Sequence, residues 1–300
     1  MKSRFIPPSR LRMRCARRVV QAAILLSAAA TVAGAEWNEI GSSLPRTTPA
    51  VKLLAIDPAT PSTLYAIDWD GRLFKSMDGG GSWKVRGSVT GVSFVAVDPT
   101  NSSIIYAAAQ RGVFKSIDGG ENWAGADSGL AGFFYDSTIT IDPLTPATLY
   151  ATTTQGVFKS TDAAQSWNKL DTDPSGTDYY FGGGITINPI TPSTIYLAYD
   201  GGPFNQGILK SSDGGQNWNR LDTPSGVVGL VIDPINTSTL YASSSPFGNI
   251  LKTTDGGQTW TVHPAAPPPA RPCCPWRSIR NLRLLFMPSD STTTVPAGKS

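Results

Sequence analysis

Carboxylates and aromatic rings gather in the least regular segments of this chain. Asp68-Trp69-Asp70, Phe133-Phe134-Tyr135-Asp136, Asp178-Tyr179-Tyr180-Phe181 and Asp200-Gly-Gly-Pro-Phe204-Asn205-Gln206 each put acids beside rings, and Pro246-Phe247 adds a fifth aromatic loop. Paired carboxylates hydrolyse glycosidic bonds when they stand roughly 5 Å apart for retention or about 6.5–9.5 Å for inversion. Asp68, Asp70, Asp136, Asp178 and Asp200 are the candidates for such a pair. Rings beside Asp and Asn suit a second chemistry, stacking on sugar faces or anchoring a peptide. Trp69, Phe133, Tyr135, Tyr179, Tyr180, Phe181 and Phe204 are the candidates for it. The opposing reading places Phe133, Tyr135 and Tyr180 on strands that line a packed channel, whereas Trp69, between two carboxylates at a loop tip, favours exposure. Little else is reactive. His263 is the single histidine, and no His, Cys and Asp residues recur at metal-ligand spacing. Asp68-Trp69-Asp70-Gly71 lacks the later acidic ligands of a calcium loop, and no cofactor is implied.

Two phrases position these loops. The first returns five times, as Lys75-Ser-Met-Asp78-Gly-Gly-Gly-Ser-Trp83, Lys115 to Trp123, Lys159 to Trp167, Lys210 to Trp218 and Lys252 to Trp260. Its aspartates are Asp78, Asp118, Asp162, Asp213 and Asp255, so the repeat is 40 to 51 residues long. The second phrase, Asp57-Pro58, Asp98-Pro99, Asp142-Pro143, Asn188-Pro189 and Asp233-Pro234, ends a short apolar run. It leads to Leu64-Tyr-Ala66, Ile105-Tyr-Ala107, Leu149-Tyr-Ala151, Ile195-Tyr-Leu197 or Leu240-Tyr-Ala242. Short runs rich in Val, Ile, Leu and Tyr between turn residues predict strands. In the second unit they fall near Ser93–Val97, Ile104–Ala108, Gly112–Ser116 and from Asn122 onward. Four antiparallel strands, A to D, at such a period predict an all-β propeller of four-stranded blades. The regular phrases then occupy one face, and the irregular B–C and D–A loops, with the acids and rings, occupy the other.

The phrase Ser-x-Asp-x-Gly-x-x-Trp resembles the Asp-box, or BNR repeat, of secreted β-propellers, over about Trp37 to Val262. That family includes sialidases, xyloglucan-cleaving propellers, sortilin-type receptors and photosystem II assembly factors, so the resemblance implies the fold and leaves the chemistry open. It assigns Asp78, Trp83, Asp118, Trp123, Asp162, Trp167, Asp213, Trp218, Asp255 and Trp260 to structure. The Asp accepts bonds within its own turn, the glycines allow positive φ, and the Trp opens strand D and wedges between blades. In the third copy, Asp162-Ala163-Ala164-Gln165-Ser166-Trp167, both glycines are missing and a distorted corner is expected. Sialidases in the family use three arginines and a Tyr activated by Glu. The arginines of the repeat region are Arg46, Arg72, Arg86, Arg111 and Arg220, none in an Arg-Ile-Pro setting, and the glutamates are Glu36, Glu39 and Glu121, so sialidase activity is disfavoured.

The termini read differently. Seven basic residues from Lys2 to Arg18 precede an apolar run, Val19–Ala33, and small residues at 33–35, which is a secretory leader over 1–35. Of 25 basic and 22 acidic residues, those seven and five beyond His263 fall outside the repeats, as does Asp290. Thirteen basic and 21 acidic residues remain, a net of −8, which argues against a nucleic-acid partner. The expected place is the periplasm or the exterior, with no membrane span after cleavage. No cysteine lies between Cys15 and Cys273, so residues 36–263 rely on their core. Lys75, Lys115, Lys159, Lys210 and Lys252 recur at one strand-C position, and are read as solvated heads on apolar stems in preference to an anion-binding ring.

Trp37-Asn-Glu-Ile40 resembles a strand D without its blade, which suggests a ring of six or more blades. Residues 264–300 carry neither phrase, and read as a Pro/Arg-rich tail or as a sixth repeat in a shifted frame. Joining the third base of each codon to the first two of the next, Trp276 to Arg280 can give Ala-Ile-Asp-Pro and Phe286 to Pro288 can give Tyr-Ala. The spacing between that Ala and Tyr equals the one from Ala55 to Tyr65. The expected function is a binding or scaffolding module for glycan or peptide through the loop face. The alternative is a glycoside hydrolase, xyloglucanase-like before sialidase-like.

Overall fold

The computed structural model describes residues 51–132, 137–172, 184–200, 206–224, 226–245 and 248–264. These belong to one compact unit that ends at Ala265. The leader, Trp37–Ile40 and the segment from 265 to 300 lie outside the described residues.

The apolar runs form twenty strands in five antiparallel sheets. The first blade is β1 (Val51–Ile56), β2 (Leu64–Asp68), β3 (Leu73–Ser76) and β4 (Lys84–Val85). The second is β5 (Val92–Val97), β6 (Ile105–Ala109), β7 (Gly112–Ser116) and β8 (Ala124–Gly125). The third is β9 (Thr138–Ile141), β10 (Leu149–Thr153), β11 (Gly156–Ser160) and β12 (Asn168–Lys169). The fourth is β13 (Ile185–Ile187), β14 (Ile195–Asp200), β15 (Gln206–Ser211) and β16 (Asn219–Leu221). The fifth is β17 (Gly226–Ile232), β18 (Leu240–Ser245), β19 (Ile250–Thr253) and β20 (Thr261–His263). Each sheet runs A-B-C-D in order, and the A strands β1, β5, β9, β13 and β17 pack consecutively against one another. This is the blade arrangement of a β-propeller. Among the described residues no helix is long and apolar enough to cross a membrane.

Both phrases act as turn locks on the same face. In the A–B turn, Asp57 Oδ1 accepts the Ala59 and Thr60 amides at 2.9 and 3.1 Å, and Asp98, Asp142, Asn188 and Asp233 repeat the pattern. Only one side-chain oxygen takes these bonds, which is why Asn188 serves as well as Asp. In the box, Asp78 Oδ1 accepts Ser76 Oγ and the Ser82 amide, Oδ2 accepts Ser82 Oγ at 2.6 Å, and Ser76 Oγ accepts the Gly80 amide at 2.8 Å. The residue four beyond the Asp always supplies a side-chain donor: Ser82, Asn122, Ser166, Asn217 or Thr259. The amide of the first residue after each Asp then donates to an A–B turn carbonyl of its own blade, as Gly79 does to Ser62 at 2.8 Å.

The cores lie between blades. Trp123 packs with Tyr65, Ile67 and Leu73 of the first blade, Trp167 with Tyr106 and Val113 of the second, Trp218 with Tyr150 and Val157 of the third, and Trp260 with Tyr196 and Ile208 of the fourth. At four junctions an indole thus packs against the preceding blade, with each Trp just before its strand D instead of opening it. Removing one such indole costs about 3–5 kcal/mol on the usual large-to-Ala scale.

The strand-C lysines depart from the solvated reading. Lys75 Nζ donates to Gly119 O at 3.1 Å, Lys115 to Ala163 O at 3.0 Å, Lys159 to Gly214 O at 2.9 Å and Lys210 to Gly256 O at 3.1 Å. Each acceptor is the first box carbonyl of the next blade. Each ammonium also lies 5.3–5.4 Å above the ring of the Tyr paired with it across strands B and C, and Tyr150 OH joins Lys159 on Gly214 O at 3.1 Å. A carbonyl held by its turn and aimed across the junction outcompetes water for the charge. Burial pushes the Tyr106 and Tyr150 phenols up to about 12 and lowers the Lys75 ammonium, whose next cause is the Arg86 charge.

The third corner keeps its geometry without glycine. Ala163 and Ala164 adopt φ of 58° and 68°, and Asp162 makes the same bonds as the other box aspartates. What changes is the indole. Trp83, Trp123, Trp218 and Trp260 donate to the second glycine of their own box, while Trp167 donates to Ala126 O of the preceding blade at 2.8 Å.

Two outcomes are expected. Lys159→Met should lower unfolding stability by about 1–3 kcal/mol in urea, the scale of a hydrogen bond to a charged group; a change no larger than at an exposed position such as Lys84 would refute the bridge. The box carboxylates are held below their ordinary range, Asp78 and Asp162 to about 2 chiefly by Ser82 and Ser166, and Asp118 to about 2 chiefly by Asn122. A depressed acid stabilises fully above its unfolded value of about 3.9, and that contribution disappears as pH falls through the folded value. The melting temperature should therefore drop between about pH 4 and pH 2, and a flat profile over that window would contradict the assignment.

Candidate functional site

On the face opposite the boxes, the B–C turn of the first blade is built around a buried carboxylate. Asp68 is fully buried, and its Oδ1 accepts the Arg72 amide at 2.9 Å while Oδ2 takes Arg72 Nε at 2.7 Å. The Asp68 carbonyl also accepts the Gly71 amide at 3.1 Å. A carboxylate so engaged holds the turn and leaves no lone pair aimed at solvent. Asp70, 62% exposed, is the open acid of this loop, 3.6 Å from Arg72 Nη2.

Between them Trp69 stands 59% exposed, with Lys52 Nζ 5.9 Å from its ring centroid. The tip is anchored below. Gly71 takes φ of 75° against Gly91, φ 69°, and a Cβ on Gly71 would lie 2.5 Å from the Gly91 Cα. The Val92 amide donates to Gly71 O at 3.0 Å and the Gln110 amide to Gly91 O at 3.1 Å, so the turn is tied to the D–A loop and to the second blade. The result is an indole face, a carboxylate and two cations held on a rigid base. Such a set can stack on a sugar ring and bond its hydroxyls, or grip an aromatic or charged peptide side chain.

Of the residues singled out in the sequence, Asp68, Trp69 and Asp70 meet here. Asp200 ends β14 opposite Gln206 of β15 in register, which puts its backbone at the loop face. Phe133, Tyr135, Asp136, Asp178, Tyr179, Tyr180, Phe181 and Phe204 lie outside the described residues, as does Phe247. Lys52 escaped the sequence reading because a lone Lys on an apolar strand carries no local signal. Among the described residues no three His, Cys, Asp or Glu side chains gather where a cation could be held.

No protein-family model and no curated protein matches the chain. Solved structures do. A GH74 enzyme from Niastella koreensis superposes with TM-score 0.59 at 22% identity, and the GH74 xyloglucanase from Xanthomonas campestris with TM-score 0.59 at 18%. In each case the match covers 71% of this chain and 38% of the other. A nidogen/laminin complex matches with TM-score 0.53 at 13% identity, over 71% of this chain and 79% of that one. The shared feature is the propeller. Against the GH74 enzymes the chain spans well under half of their length.

The two acids of the turn should separate in a stability measurement. Asp68→Ala leaves Arg72 and the turn amide without their acceptor and is expected to cost about 2–3 kcal/mol, while Asp70→Ala should stay within about 0.5 kcal/mol. Equal losses in urea denaturation would show that Asp68 does not hold the loop.

Proposed function

We propose that this protein is an exported, non-catalytic propeller that binds glycan or peptide through its B–C and D–A loop face, as a recognition or scaffolding module. The observation that carries the reading is Trp69: a large apolar ring kept 59% exposed at the tip of a turn whose base is fixed by the ion pair of Arg72 with the buried Asp68. An exposed indole on a preorganised loop loses little freedom on binding, which is what a recognition residue requires. The repeats that resemble the Asp-box of secreted propellers, and the leader-like sequence of residues 1–35, support export. The nidogen/laminin neighbour, itself a complex of two proteins, lends support to a protein or peptide ligand.

The second reading, glycoside hydrolysis, draws on the GH74 neighbours, one of which is a xyloglucanase. It needs two carboxylates about the bond. In the first blade Asp68 is committed to Arg72, which leaves Asp70 as the acid available there. Binding is therefore the preferred reading, and Asp136, Asp178 and Asp200 are the acids that the second reading would enlist with Asp70.

The full chain on glycan and peptide arrays, with reducing-sugar release assayed in parallel on xyloglucan and β-glucan, tests both. Retention without turnover, weakened about tenfold or more by Trp69→Ala on the scale of a lost aromatic contact, is the expected result. Turnover abolished by Asp70→Asn would overturn the non-catalytic reading, and retention unaffected by Trp69→Ala would remove the proposed contact.

A further inference from the structure

The tip at Trp69 holds one charge that its own loop does not answer. Arg72 is committed to acids, with Nε on Asp68 Oδ2 at 2.7 Å and Nη2 3.6 Å from Asp70. Lys52, half-buried on β1, is not. Among the described residues no carboxylate lies within ion-pair distance of its ammonium and no oxygen accepts a bond from it; what it faces is the Trp69 ring, 5.9 Å from the centroid. The junction lysines Lys75, Lys115, Lys159 and Lys210 also face a ring, and each adds a backbone carbonyl. Lys52 has the ring without the oxygen.

The backbone brings Lys52 to this place by a break in register. The β1–β2 pairing steps from Val51 opposite Asp68 to Leu53 opposite Ile67, so Lys52 is the extra residue of a β-bulge. A bulge frees one side chain from the alternation of its strand and re-aims it. The second and fifth blades carry the same irregularity, at Ser93 and Val228. Ser93 turns its hydroxyl back onto its own blade, donating to Ala108 O at 3.2 Å, and Val228 has no polar group to aim. The first blade puts a cation there, and the same blade carries the exposed indole. Two departures from the repeat therefore coincide at one spot.

Three groups surround the tip: a flat apolar ring, an ammonium without a counter-ion, and the exposed Asp70 carboxylate. Each calls for a different part of a ligand. The ring takes a C–H face, the ammonium takes a carboxylate, and Asp70 takes a hydroxyl donor. A neutral sugar answers the ring and Asp70 but leaves the ammonium alone. An acidic peptide side chain answers the ammonium, brings no hydroxyl to Asp70 and is repelled by it. A hexuronic acid supplies all three, because its carboxylate projects from C5 in the mean plane of the pyranose and lies at the edge when the C–H face stacks. The negative net charge of the repeats is screened beyond about 8 Å at physiological salt, so the nearby ammonium decides.

We propose that Lys52, Trp69 and Asp70 form a subsite for a uronic-acid residue of an acidic glycan, with the indole stacked on the sugar, Lys52 Nζ donating to its carboxylate and Asp70 accepting one of its hydroxyls. The proposal rests on the recognition role of the loop face and names the ligand class of that face. Lys52 is its specificity residue, since a uronate and the matching neutral sugar differ only in the group that Lys52 meets.

The test titrates the full 300-residue chain with oligomers of galacturonate and of glucuronate, each beside the same oligomer with its carboxylates reduced to alcohols, at about 0.15 M salt. One of the acidic oligomers should bind about tenfold or more tighter than its reduced form, the scale of a charge-assisted hydrogen bond. Lys52→Met should bring the pair to equal affinity without weakening the reduced oligomer, Lys52→Arg should restore the preference, and Trp69→Ala should weaken both members alike. Lys84→Met, at an exposed position on β4, should leave the ratio as it is. Equal affinity of the parent chain for both members, with both weakened by Trp69→Ala, would overturn the uronate subsite and leave the recognition reading standing. A preference for acid that survives Lys52→Met would overturn the role of Lys52. A glutamate oligopeptide held more tightly than either uronate, and lost in Lys52→Met, would give the subsite to a peptide and overturn the glycan assignment. Retention of none of these probes, together with blank glycan and peptide arrays, would overturn the subsite and the recognition reading together.

Discussion

A blade of this protein has no core of its own. Its four strands are only two to seven residues long, its strand-D side chains face water, and its buried Tyr, Phe and branched residues form clusters shared with a neighbouring blade. The contact that fixes where the next blade sits is polar: a Lys and often a Tyr from one blade converge on a single backbone carbonyl of the following box. Apolar packing is tolerant of small slides and rotations, whereas a hydrogen bond to a carbonyl is not. The indole supplies area and the ammonium supplies position.

That division of labour explains which parts of the box vary. The Asp, its Ser or Thr two residues earlier and a side-chain donor four residues later form a closed set of bonds, and all five copies keep them. The glycines are favoured for their positive φ but are replaceable. Ala163 adopts the left-handed region at a cost of roughly 1–2 kcal/mol, and its carbonyl still receives Lys115. With Ala164 in place of the second glycine, the indole of Trp167 reaches back to Ala126 and becomes the most buried of the box tryptophans described as buried, at 3% exposure. The junction gains a cross-blade bond where the turn lost its usual internal one.

The loop face rests on the same scaffold by a different route. Asp68 and Arg72 close a turn that the second and third blades do not share; the second turns through Gln110 and Arg111 and the third through Thr154 and Gln155. Among the described residues Trp69 is thus a departure set on a repeating frame, held through Gly71, Gly91 and Gln110 to two blades at once. Repetition determines the frame, and departure from repetition marks the place where recognition is built.

The strands and their order could be read from the chain because period-2 apolar runs stop at Asp-Pro and at the box, each a turn with a local mechanism. For the second blade the reading placed strand C at Gly112–Ser116, where it lies, and strands A and B within one residue. What could not be read was any partner without a letter. Lys75 looked solvated because its acceptor is a main-chain carbonyl 44 residues on, yet the recurrence of Tyr and Lys at paired register positions in all five units was a signal that they act together. Asp68 and Asp70 are equivalent letters two residues apart, and only burial separates the one that holds the turn from the one that faces solvent.

The most direct measurement of the junction mechanism is a double-mutant cycle on Tyr150→Phe and Lys159→Met, with unfolding free energies from urea denaturation. Two donors sharing the Gly214 carbonyl through one cation–π pair must be coupled, and the account predicts an interaction energy of about 0.5–1.5 kcal/mol between the two substitutions. Strict additivity, with each substitution costing the same whether or not the other is present, would mean that the blades are placed by apolar packing alone and that the polar bridge is incidental.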